Sequence, residues 1–254
     1  MNMNLLKRIF GIKPDFKTNS EEEKTSNQNT TFRTETMSQS ELDSLKVGDI
    51  IALGNNNETL PEYESTWIEA NENPFKMRIF DCREYALKMI STTLNQETAN
   101  KFLELRNSDG TELIGKFPEN GVKCEVDFNF ETEGEHLPDG ILFKSSKMEE
   151  KWDIFKYVNF IFFVRSWTGE LEYFCNYIPT KTGFKVDLIV VDENKIDIDD
   201  EYFEFKVVQF LIHSHILGYP VPHPIPKILE NDNTKILNYS FSMFGNKGLY
   251  ASYE

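Results

Sequence analysis

Positive charge is in short supply in this chain: 27 Lys and Arg stand against 42 Asp and Glu, a formal net charge of −15. Nucleic acids attract proteins chiefly through Lys and Arg, so generic nucleic-acid binding is disfavoured from the outset. Cysteine is scarcer still. Cys82, Cys124 and Cys175 are odd in number, widely separated and without a CxxC pair, which argues against a disulfide framework and a zinc ribbon. They read as reduced thiols of a cytoplasmic protein. Apolar runs are short, and none approaches the roughly 20 residues that span a bilayer. The phosphate-binding GxxxxGK[ST] and GxGxxG loops, the GxSxG elbow and the HExxH zinc helix are all missing, so no cofactor is implied.

Aromatic residues, by contrast, are plentiful. They make up 13% of the chain, with 21 Phe, and 39% of residues are hydrophobic, enough to build a core. Residues 1–40 stand apart. "MNMNLLKRIFGIK" places Leu5, Leu6, Ile9 and Phe10 at helical spacing among Lys7, Arg8 and Lys13. Residues 1–13 are thus a candidate for contact with an anionic membrane or a partner groove, although two apolar turns bind membranes weakly. The Ser-, Thr-, Asn- and Glu-rich stretch that follows buries too little to offset its ordering entropy and reads as a linker. Residues 41–254 read as one globular domain.

Within that domain the pattern predicts an α+β fold, an antiparallel meander with two short helices before it and one long helix after it. "KVGDIIALG" suggests a strand at Val47–Leu53, and "FKMRIF" another. Asp81 and Glu84 have capping-box spacing ahead of a helix whose buried face would hold Cys82, Ala86, Met89 and Ile90. Asn95 is placed to cap a second helix. "VKCEVDFNFE" alternates without a fault and predicts a half-buried strand with Glu125, Asp127 and Glu131 facing out. From Trp152 to Val191, four aromatic and β-branched runs are separated by connections that only antiparallel neighbours can use. A final helix is expected over Glu201–Leu217, with Asp199 or Asp200 as its cap and Gly218 at its C′ position.

Three of the four histidines crowd into "IHSHILGYPVPHPIP". On a helix, His213 and His215 would lie about 200° apart and could not share an ion. His215 could still meet His223 across the turn as a metal pair, whereas packing and helix capping are the structural reading. Cys82, at a helix start, is a candidate nucleophile. His136 would be its base and Asp139 or Asp153 the orienting carboxylate; the alternative is a core thiol. Arg165 and Trp167, two apart on one strand face, could hold an anion or an aromatic ligand. Glu125, Asp127 and Glu131 could receive a basic partner or Ca²⁺, although "DENKIDIDD" lacks the glycine and terminal Glu of an EF-hand loop.

"NPFKMRIFDCREYAL", "FFVRSWTGELEY" and "FLIHSHILGYPVPHPIP" resemble segments of an uncharacterised bacterial family with no assigned activity. The resemblance implies a bacterial origin and supplies no functional residues. Composition and pattern together lead to the expectation of a non-enzymatic interaction protein, for instance an acidic immunity or antitoxin-type protein covering a basic partner. A Cys-dependent hydrolase or transferase using Cys82 and His136 is the alternative.

Overall fold

Two sheets of unequal size organise the chain. The computed structural model describes residues 63–196, 202–229 and 232–253, all within the unit Lys46–Glu254. The expected N-terminal segment and linker, the strand at Val47–Leu53 and the Asp199 or Asp200 cap lie outside the described residues. In chain order, β1 (Trp67–Ile68) and β2 (Ile79–Asp81) lead to helices α1 (Arg83–Lys88) and α2 (Gln96–Leu105). Strands β3 (Gly121–Glu131), β4 (Gly140–Phe143), β5 (Trp152–Tyr157), β6 (Phe160–Arg165), β7 (Leu171–Asn176), β8 (Ile178–Pro179) and β9 (Gly183–Asp192) follow. Helix α3 (Phe203–Leu211), β10 (His223–Pro224), α4 (Asn233–Phe244) and β11 (Tyr250–Ser252) complete the described chain.

The large sheet has the order β3-β9-β7-β6-β5-β4, with β8 on β9, and every pair in it is antiparallel. The α+β class and the meander are therefore as the sequence predicts. The two-residue loop Val158–Asn159 joins β5 to β6, with Val158 at a φ of 56°. β6 is apolar on both sides because both are covered: Ile161 and Phe163 face one core, Phe162 and Val164 another. On the inner side, α3 buries Val207, Val208, Phe210 and Leu211 against Tyr173, Ile189 and Val191.

The small sheet, ordered β1-β2-β11-β10, is beyond what the sequence predicts, save that β2 forms at the end of the strand expected in "FKMRIF". Its strands are two or three residues long, too short for a period to show, and β10 and β11 run parallel. Helices α1 and α4 cover it, with Phe80, Cys82, Tyr85, Ile236 and Phe241 in a common core. Helix α4 is itself an addition, although "NTKILNYSFSMF" buries Ile236, Leu237, Ser240, Phe241 and Phe244 at helical spacing, and Asp232 accepts a capping bond from Lys235 N at 3.0 Å.

Local expectations divide. Asn95 does cap α2, accepting from Thr98 N at 3.0 Å. The α1 capping box does not form: Cys82 occupies the cap position without a side-chain bond, and Glu84 accepts from Glu64 N at 2.6 Å. Because α1 ends at Lys88, Ile90 leaves the buried face and is 77% exposed. The last predicted helix is also not uniform. After Leu211 the backbone widens into a π-helical turn over Ile212–Ile216, with Leu217 N donating to Ile212 O at 3.0 Å. Gly218 follows at a φ of 72°, the left-handed conformation expected of it.

Candidate functional site

The π turn places Ile212, His213, Ser214 and His215 all in the interior. The His213 ring lies against Phe130 and Tyr219, at centroid distances of 5.2 and 6.2 Å. His215 lies against Phe143 and Phe210. His223, on β10, sits between Phe210 and Phe244. Burial holds all three imidazoles neutral by pushing their pKa values down, to about 4, 3 and 4 in that order.

The tautomers of two of these rings follow from their neighbours. Ser214 Oγ donates to Phe210 O, so it accepts from His215 Nδ1 at 2.7 Å. Pro224 O can only accept, so His223 Nδ1 carries the proton, at 3.1 Å. Both Nε2 atoms are left as buried acceptors without a partner. The rings rest on Phe210, and no hydrogen bond or ring contact joins one to the other. No group of three metal-ligating side chains converges among the described residues.

Cys82 is a core thiol. It is 1% exposed and contacts Phe80 O and Ser240 Oγ at 3.7 and 3.6 Å. Burial pushes its pKa up to about 12, with Asp81 adding to the rise. A nucleophilic thiol needs the opposite. His136 is exposed in the turn between β3 and β4, and the carboxylates considered as its orienters are engaged elsewhere. Asp139 pairs with Lys156 Nζ at 2.6 Å. Asp153, buried, accepts from both terminal nitrogens of Arg106 (3.1 and 2.7 Å) and from Ser145 N and Oγ, both at 2.8 Å. This pairing fastens the end of α2 to β5.

Arg165 and Trp167 do not share a strand face, because β6 ends at Arg165 and a turn takes in Trp167. Arg165 instead lies over Trp152, 4.8 Å from its ring centroid. It donates to Ser242 O at 3.0 Å and Met243 O at 3.2 Å, while Trp152 Nε1 also donates to Met243 O, at 2.7 Å. These are C-terminal carbonyls of α4 that have no partner within the helix, and a cation there also meets the negative end of its dipole. Arg165 is thus a helix cap made from a distant strand. Trp167 Nε1 donates to Met148 O at 2.9 Å, and its ring lies under Lys151.

Lys151 and Glu204 were missed by sequence reasoning. Lys151 is buried, donates to Ser91 Oγ and Met148 O at 2.7 and 2.9 Å, and faces the rings of Trp167 and Phe241. Burial and the nearby Arg165 push its pKa down to about 7. Nothing in "MEEKWD" marks it out. Glu204 accepts from the Tyr173 hydroxyl, and its pKa is raised by burial. The visible signal was its place between Phe203 and Phe205 in an apolar helix.

Glu125, Asp127 and Glu131 are exposed on one side of β3, in the strict alternation that the sequence predicts. Among the described residues β3 has one strand neighbour, β9, and forms the edge of the large sheet. Asp127 pairs with Lys185 Nζ at 3.2 Å, the Asp127 side chain being well exposed and that of Lys185 half-buried. Glu131 has a further contact of its own. Glu125 and Asp127 are therefore exposed side by side on the edge strand. No known protein family matches the chain, and no curated protein or solved structure is significantly similar to it. No helix among the described residues is long and apolar enough to cross a membrane.

Proposed function

We propose that the protein is a non-enzymatic interaction module, acting in the cytoplasm, that takes a basic protein partner on the β3 side of its large sheet. Covering a basic partner in the manner of an immunity or antitoxin protein is the concrete form of this reading. It rests on the exposed Glu125 and Asp127, which lie at a break in the register of the edge strand β3 in a chain with a net charge of −15. The Asp127–Lys185 pair is no obstacle, since exposed pairs contribute about 0–1 kcal/mol and exchange readily.

The test is capture of a partner by the tagged chain at low and at high salt, beside the double variant Glu125→Lys/Asp127→Lys. A basic protein retained at low salt, released by high salt and lost in the variant is the expected result. Capture insensitive to both changes, or no capture, rejects the reading.

A further inference from the structure

The outer face of the large sheet is only partly roofed among the described residues. After α2, residues 106–118 cross it, and Leu113 is buried among Phe155, Phe162, Val164, Phe174 and Val190. Gly110, at a φ of 86°, brings this segment so close that a Cβ there would enter the Phe155 ring. Past the roof the same face continues. Residues directly opposite each other in a sheet point to the same side. The register sets Phe160 opposite Asn176, Ile178 opposite Lys185, and Leu188 opposite Glu125. Phe117 joins this surface by resting on Phe174, 5.0 Å between centroids, and Phe160 stacks on the same ring at 4.8 Å. Phe117, Phe160 and Ile178 are 56%, 38% and 37% exposed, so an apolar row lies in the open directly beside the acidic one.

We propose that this face seats an amphipathic helix of a partner protein, its apolar stripe on Phe117, Phe160, Ile178 and Leu188 and a Lys- or Arg-rich flank against Glu125 and Asp127. The inference rests on the basic-partner reading above and specifies the partner's shape. Dimensions favour a helix. From β6 to β3 the row crosses three strand spacings, about 14 Å, and a helix with its side chains is about 10–12 Å wide. One helix can therefore lie on the aromatic row and still reach Glu125 with a long basic side chain. A single extended strand would cover one row or the other. A second copy of this chain is disfavoured, because it would bring a like charge of −15 and set carboxylates against carboxylates. Lys123 and Lys185 also lie on this face, but the Asp127–Lys185 pair lies at the surface and exchanges readily, so Glu125 and Asp127 both serve a basic flank.

The experiment uses the full chain and a synthetic Leu/Lys amphipathic helix of about four turns, with a Leu/Glu helix of the same apolar pattern and an alternating Val/Lys strand peptide as controls. Binding is read by fluorescence anisotropy at low and high salt, and circular dichroism and melting confirm that each variant is folded. The Leu/Lys helix should bind best and lose about tenfold in affinity at high salt. Phe117→Ser/Phe160→Ser should weaken it about tenfold at both salts, and Glu125→Lys/Asp127→Lys should remove the salt dependence. No binding of the Leu/Lys helix, tighter binding of the strand peptide, or indifference to the Phe substitutions overturns the helix seat. Where only the charge reversal matters, the helix seat fails and the basic-partner reading survives. Equal binding of the Leu/Glu helix rejects both.

Discussion

Single residues in this molecule take their chemistry from burial more than from type. Cys82 has the helix-start position of a reactive thiol, yet its surroundings raise its pKa to about 12. Iodoacetamide at neutral pH should therefore leave Cys82 unmodified in the native chain and modify it on unfolding, as followed by peptide mass spectrometry. Lys151 is displaced in the other direction. Its folded pKa of about 7 lies below the ordinary 10.5, so between those values the unfolded state binds the extra proton. Stability from this group is gained as pH rises from about 7 towards 10.5, with a slope of up to about 1.4 kcal/mol per pH unit. The Trp167 and Phe241 faces favour the ammonium and reduce that slope. Lys151→Met should flatten this part of the stability–pH curve in denaturant titrations, and an unchanged slope would show that Lys151 stays protonated in the fold.

At the scale of elements, close approach decides what packs on what. The roof over the outer face depends on Gly110 lying flat against Phe155. Gly110→Ala adds a left-handed penalty of about 1–2 kcal/mol and a collision with the ring. Gly115 offers the control: its φ is 82°, but a Cβ there meets nothing within 4 Å. Gly110→Ala should therefore destabilise by clearly more than Gly115→Ala, the difference reporting the ring contact in paired urea melts. Equal losses would mean that the roof lifts away from the sheet at no cost. Arg165 illustrates the same dependence on neighbours, because a strand-end arginine becomes the cap of a helix whose last carbonyls lie 77 and 78 positions further along the chain.

For the whole molecule, the three interior histidines make acid the main threat to the fold. Their folded pKa values of about 4, 3 and 4 lie below the ordinary 6.5. Their contribution is intact above about pH 6.5 and is lost as pH falls towards 4, because the unfolded state takes up the protons first. With up to three protons involved, the slope there approaches about 4 kcal/mol per pH unit. Urea titrations at successive pH values should show it, and a slope of one proton or fewer would mean that water reaches these rings. Much of the frame that holds them was legible beforehand. Alternation in "VKCEVDFNFE", the four runs of the meander, the Asn95 cap and the Gly218 end are matters of local period and backbone geometry, which neighbouring residues alone express. The small sheet, the π turn, the partners of Arg165 and Asp153 and the burial of Lys151 were not legible. Each depends on groups brought together from remote parts of the chain, and a buried charge or a two-residue strand has no periodic trace. The sequence by itself determined the strands of the large sheet, the helices α1 to α3 and the acidic edge; only tertiary structure decided which polar groups are sealed inside and which remain on the surface, because desolvation is a property of the assembled neighbours.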